Sequence, residues 1–118
     1  MKIILPIPPS INRTYGVTRS GKIPFYKKKP VRVWEWTAGW EIKHQQGRNK
    51  QTFLGKIRLD IQFYYKRDRD IDSGLKVLLD LLQKQRIYLN DKQVVELYVL
   101  KYQDLIKPRV EVEIKEIM

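Results

Sequence analysis

Between residues 56 and 66 the chain alternates: Ile57, Leu59, Ile61, Phe63 and Tyr65 are apolar or aromatic, and Arg58, Asp60 and Gln62 between them are polar. Successive strand side chains point to opposite faces, so this pattern predicts a strand with one face in a core. The period then changes. Over 73–85, Leu75, Leu78, Leu79 and Leu82 recur at the spacing of one helical face. A helix is expected there, capped by Asp72 or Ser73 accepting from its first unpaired N–H groups. Residues 93–102 and 108–117 read as two more strands, and the short link 103–107 predicts that they pair as an antiparallel hairpin. Near the start, residues 2–7 read as a short strand that Pro6 sends to a sheet edge. Residues 31–46 hold Val33, Trp36, Trp40 and His44 at helical spacing after Pro30, which predicts a second helix. Pro8 and Pro9 stiffen the loop that follows the first strand. Residues 14–29, with Gly16, Gly21, Pro24 and three consecutive lysines, read as a mobile basic hairpin or arm. The order predicts one α+β domain over residues 1–118, with two helices against a mixed or antiparallel sheet.

Composition narrows the chemistry. The 118 residues include no cysteine and one histidine. Disulfides, thiolate zinc sites and a cysteine nucleophile are excluded, and so is any metal site built on several histidines. His44 reads as a structural or surface residue. No apolar run approaches the ~18 residues of a membrane span, so no membrane partner is expected and a cytoplasmic location is. Residues 1–56 hold twelve basic and two acidic side chains, a net +10; residues 57–118 hold twelve and eleven, a net +1. Charge concentrated in one half points to a polyanion, with nucleic acid the leading candidate.

Within this basic chain sits an acidic knot. Asp68, Asp70 and Asp72 alternate with Arg67 and Arg69, and share a face if the segment is extended. Asp91 follows the leucine helix. If the next strand pairs beside 56–66, the turn at 86–92 could return Asp91 to the 70–72 segment. Clustered carboxylates repel unless a cation lies between them. Oxygen donors without histidine or cysteine select Mg²⁺, with Mn²⁺ a substitute. Such an ion activates water and neutralises a scissile phosphate, which makes a nuclease the expected class. Lys76, one turn after Asp72, could stabilise charge developing on phosphorus; with Asp80 it could equally form an ordinary helical ion pair. Phosphate contacts are expected from Arg13, Arg19, Lys27, Lys28, Lys29, Arg67 and Arg69. Phe25 and Tyr26 read as a wedge for a branch point or as sheet packing. Trp34, Trp36 and Trp40 read as core or dimer contacts rather than base-stacking platforms; Trp36 and Trp40 share a helix face, while Trp34 points elsewhere and is the better candidate for a partner surface.

Pro8-Pro9-Ser10-x-Asn12, Asp70-x-Asp72, Lys76, Asp80 and Asp91 followed by Gln93-Val94 together resemble the RusA family of Holliday junction resolvases. The resemblance runs from residue 5 to about 116. It implies a homodimeric α+β fold and Mg²⁺-dependent cleavage of four-way DNA junctions, with no small-molecule cofactor. It implies that Asp70, Asp72 and Asp91 are the catalytic metal carboxylates, that Lys76 assists, and that Asn12 belongs to the DNA-contacting loop. Three positions depart from the family pattern. Ser73 stands where an Asn is usual, Asn90 where an Asp precedes Asp91, and Arg86 near the glycine that commonly ends the helix. The alternative reading is a non-catalytic binder of branched or single-stranded nucleic acid, in which Ser73 and Asn90 mark a decayed metal site.

Overall fold

The computed structural model describes residues 1–10, 15–16, 26–27, 29–48 and 50–118, with 15–16 and 26–27 described by backbone alone. Its elements are β1 (Lys2–Leu5), β2 (Tyr15–Gly16), β3 (Tyr26–Lys27), α1 (Lys29–Gln46), β4 (Ile57–Tyr65), α2 (Leu75–Lys84), β5 (Val94–Gln103) and β6 (Arg109–Glu116). A 3₁₀ turn at Asp91–Gln93 leads into β5. β1, β6, β4 and β5 form a four-stranded sheet in that order, and β2 pairs antiparallel with β3. The result is the small α+β domain with a mixed sheet and two helices that the pattern predicted.

β4 obeys its alternation throughout: Ile57, Leu59, Ile61, Phe63 and Tyr65 are all buried. A strand with so much apolar surface lies at the centre of the sheet, and both its edges are hydrogen-bonded. β6 pairs with it antiparallel and β5 parallel. The expected hairpin of β5 with β6 is therefore not formed, because β4 lies between them. The link passes over the end of β4 instead. Asp104 N–H donates to the Tyr65 carbonyl (2.8 Å), and the Asp104 carboxylate accepts from Ile106 N–H, Lys107 N–H and the Arg109 guanidinium.

Both helices contribute to one core with Ile3, Leu5, Val110, Val112 and Ile114. α2 buries Val77, Leu78, Leu81 and Leu82, while Leu75 and Leu79 are only partly covered. Ser73 and Asp72 do not cap it by side chain: Gly74 is the N-cap and makes no side-chain cap bond. α1 turns Trp34, the expected partner-facing residue, into the core. Val31, Trp34, Ala38, Gly39 and Ile42 are buried, while Val33, Trp36 and Trp40 face outward. The helix carries two apolar stripes, and the one with small Ala38 and Gly39 allows close approach. A Cβ on Gly39 would lie 2.7 Å from the Gln85 amide nitrogen, where the chain leaves α2. Trp34 keeps its polar atom satisfied by donating Nε1–H to the Pro6 carbonyl (2.9 Å).

Candidate functional site

The acidic segment leaves the C-terminal end of β4 and becomes a turn rather than an extended strand. Ser73 N–H donates to the Asp70 carbonyl (3.0 Å) and Leu75 N–H to the Asp72 carbonyl (3.1 Å). Asp70 and Asp72 keep exposed side chains on this turn, and Lys76 is exposed on the first turn of α2. Arg69 fixes the turn. Its guanidinium donates to Ser73 Oγ (3.0 Å) and to the Pro8 carbonyl (3.0 Å), and it lies over the Tyr65 ring at 4.5 Å. Ser73 Oγ in turn donates to the Tyr65 hydroxyl (3.4 Å). Gly74 sits so close beneath Pro8 that a Cβ there would lie 2.7 Å from the proline ring. The Pro8-Pro9 loop is thus bolted onto the Asp70–Asp72 turn. Arg69, expected on DNA, is half-buried and tied into this clamp, whereas Arg67 is exposed.

One further cation escaped the sequence reading. Lys101 on β5 donates to Asp68 Oδ1 (2.8 Å) and to the Arg69 carbonyl (2.9 Å). The Lys101 hydrogen bond and charge hold Asp68 below the usual carboxylate range. Its hydrogen bond to Asp68, and then the charges of Asp68 and Asp70, hold Lys101 above its ordinary value. Its signal was available: Lys101 follows Leu97 and Val99 on the β5 face that is otherwise apolar.

Asp91 lies elsewhere. It opens the 3₁₀ turn, whose N-cap is Asn90. Asn90 Oδ1 accepts from Lys92 N–H (2.9 Å), and Gln93 Oε1 accepts from Leu89 N–H and Asn90 N–H. The Gln93 amide nitrogen donates to the Phe53 and Gly55 carbonyls (both 2.9 Å) and pins the turn to that loop. Buried Tyr88 donates its hydroxyl to the Leu79 carbonyl (3.0 Å). Burial pushes this phenol up, and the adjacent Asp91 carboxylate and then Asp80 push it further. Ser73 and Asn90 therefore both carry local structure at the positions where the family pattern is broken.

The parallel pairing of β4 with β5 separates the carboxylates. Ile57 pairs with Val94 at one end and Tyr65 with Gln103 at the other. Asp91 precedes Val94, and Asp70 and Asp72 follow Tyr65, so they lie off opposite ends of the β4–β5 pair. The turn at 86–92 does pair its strand beside β4, but in the direction that carries Asp91 away from 70–72. Oxygen donors of this kind suit a hard divalent ion. Among the described residues, however, no three His, Cys, Asp or Glu side chains of one chain converge as a metal site. Lys29 is exposed at the start of α1, and so is His44 near its end. Asn12, Arg13, Arg19, Phe25 and Lys28 lie outside the described residues, and the side chains of Tyr26 and Lys27 do too.

An α+β domain that joins a basic N-terminal half to an acidic turn beside α2 matches a known class. The model of the endodeoxyribonuclease RusA family matches residues 6–115. The chain belongs to that family. It is 32% identical over 97 residues to the crossover junction endodeoxyribonuclease RusA of Aquifex aeolicus (strain VF5), covering 82% of this chain and 74% of the relative. Among the described residues, no helix is long and apolar enough to cross a membrane.

Proposed function

We propose that this chain is a structure-selective, Mg²⁺-dependent endodeoxyribonuclease that resolves four-way DNA junctions as a homodimer, each chain forming one domain. Family membership and the net +10 on residues 1–56 support the substrate class. The observation that carries the mechanism is the β4–β5 register, which holds Asp91 apart from Asp70 and Asp72. β5 is an edge strand ten residues long and exposed along nearly all its length. A long open edge is a template for pairing with another chain. Two copies related by a two-fold axis would pair β5 antiparallel with β5. That arrangement exchanges the strand ends and brings Asp91 of one copy toward Asp70 and Asp72 of the other.

Asp70 and Asp72 of one chain, with Asp91 of the second, are the residues that would hold the ion. When bound, Mg²⁺ supplies the Lewis acidity that activates water and neutralises the scissile phosphate. The Arg69 clamp holds the Asp70–Asp72 turn in place, and the Asn90 cap does the same for Asp91. Lys76 presents an ammonium beside the same turn to the charge that develops on phosphorus. Two such sites at a fixed separation suit two symmetric nicks in a four-way junction.

The test mixes two inactive variants. Asp72→Asn and Asp91→Asn should each abolish nicking of a synthetic four-way junction in Mg²⁺. Co-refolded together, they form a mixed dimer with one intact site and one doubly defective site. Nicking of one strand should return. If the mixture stays as inactive as the parts while each variant still binds the junction, the composite site is wrong. If the unmodified chain binds junctions tightly but gives no product with Mg²⁺ or Mn²⁺, the non-catalytic reading replaces this one.

A further inference from the structure

The outward face of α1 has no place in the composite site. Lys29, Arg32, Trp36, Trp40 and Lys43 recur along this eighteen-residue helix so that all fall on one side, opposite buried Val31, Ala38 and Ile42. Trp36 is 69% exposed and Trp40 57%. Their rings meet edge to face with centroids 6.3 Å apart, and the Lys43 ammonium lies 5.4 Å from the centre of the Trp40 ring. The helix's two carboxylates lie off this stripe. Glu35 is turned toward α2, where Lys84 bonds it at 3.1 Å, and Glu41 accepts from Gln45, whose amide also bonds Ile4 of β1. Two exposed tryptophans flanked by cations are costly to leave in water, and among the described residues no other element covers them.

We infer that this stripe is a stacking platform for unpaired nucleotides, a second nucleic-acid contact beyond the cleavage site. Flat aromatic faces accept any base, and flanking cations take the phosphates. The location agrees. Val33, beside Trp36, lines a shallow groove with Lys29 and Arg32, and also lines the neighbouring groove of about 370 Å³ that Pro8, Pro30 and Arg69 share. Among the described residues, the two grooves meet at Val33 and lead from Arg69, beside the Asp70–Asp72 turn, to Trp36, with Trp40 one turn further along α1. A second copy of this chain is a poor occupant, because a two-fold contact of the stripe with itself opposes like charges. The inference takes its ligand class from the nuclease reading above.

The experiment titrates the full chain with oligothymidylate of about ten nucleotides, in EDTA, and follows tryptophan fluorescence. The unmodified chain should be quenched. Trp36→Ala with Trp40→Ala should bind about tenfold or more weakly, as expected for lost base stacking. The slope of log affinity on log salt should not change, since the phosphate contacts remain. Trp36→Phe with Trp40→Phe should bind within a few-fold of the unmodified chain and show no quenching, because buried Trp34 is the only indole left. Equal affinity for the alanine pair, or binding without quenching, overturns the platform. So does an alanine pair that alters the sedimentation of the chain alone, since the stripe would then be a protein contact. Junction nicking in Mg²⁺ is scored separately: its absence refutes the nuclease reading whatever the oligonucleotide result.

Discussion

Arg86 stands where the chain must turn left. Its φ is 57°, and among the described residues no other non-glycine has a positive φ. The reason is the end of α2. Ile87 N–H reaches back to the Leu82 carbonyl and Arg86 N–H to the Gln83 carbonyl, both at 3.0 Å. These are the paired bonds of a Schellman motif, which places the residue after the cap in the left-handed region. Ile87 and Leu82, both buried, supply its apolar contact. Glycine accepts that conformation without the Cβ clash that costs other residues about 1–2 kcal/mol. Arg86→Gly should therefore stabilise the fold by ~1 kcal/mol, a gain trimmed by glycine's greater freedom when unfolded. Urea denaturation would show it as a higher midpoint at unchanged slope, and a lower midpoint would contradict it. The same scale explains Ser73 and Asn90. Each has a definite hydrogen-bonding task, one accepting from Arg69 and the other from Lys92 N–H.

The two edges of the sheet are treated differently. β1 is four residues long, and the Gln45 carboxamide bonds both the N–H and the carbonyl of Ile4 at 2.9 and 2.6 Å, which occupies that edge. β5 is ten residues long, and Val95, Leu97, Tyr98, Leu100 and Tyr102 are each 42–52% exposed. Its outward face is ordered without a second chain: Arg58 lies 4.0 Å over the Tyr98 ring, and Tyr64 stacks on Tyr102 at 5.1 Å. An edge so prepared is suited to pair with a second copy. Leu100→Lys sets like charges near each other across such a pairing, which is unfavourable. Because Leu100 is half-exposed, the fold itself should be retained. Sedimentation velocity should find the unmodified chain dimeric and this variant monomeric, with junction nicking lost in parallel. A variant that remains dimeric would place the interface elsewhere.

Across the whole molecule, charge is divided between structure and surface. The sheet face opposite the core is a lattice of matched pairs: Arg58 with Asp60, Arg109 with Glu111 and Asp104, and Lys2 with Glu111. The excess positive charge lies instead in residues 1–56, the half that contains α1. The paired carboxylates govern acid stability. Hydrogen bonds from Lys101 lower Asp68, backbone N–H groups of Lys107 and Ile106 lower Asp104, and Arg109 lowers Glu111. A carboxyl lowered in the folded state adds stability that is complete above its unfolded value. That stability is lost as pH falls through the folded one. Lys101 and Arg109 are raised, so their share is complete at neutral pH and lost only in strong alkali. The thermal midpoint should therefore be flat from about pH 8 down to about pH 5 and should fall steadily below about pH 4. A midpoint that rose on acidification would show that these pairs do not stabilise the fold.

Local pattern determined the elements. Alternation on β4 and leucine spacing on α2 are properties of short windows, and a strand or helix exposes them directly. The acidic residues, the basic N-terminal half and the family's ordered motif were equally legible, because each is a matter of residue type and order, whereas the turn that carries Asp70 and Asp72 was not. Tertiary structure decided what depends on partners distant in the chain. α1 has two apolar stripes of similar quality, and only close packing through Ala38 and Gly39 selected the one holding Trp34 and left Trp36 and Trp40 in solvent. Likewise, the short 103–107 link suggested a hairpin, yet β4 offered more buried apolar surface to both neighbours and took the place between them. That choice made β5 parallel to β4. Asp91 was thereby set at the opposite end of the strand from Asp70 and Asp72, because the direction of pairing is fixed by the sheet as a whole and written in no single segment.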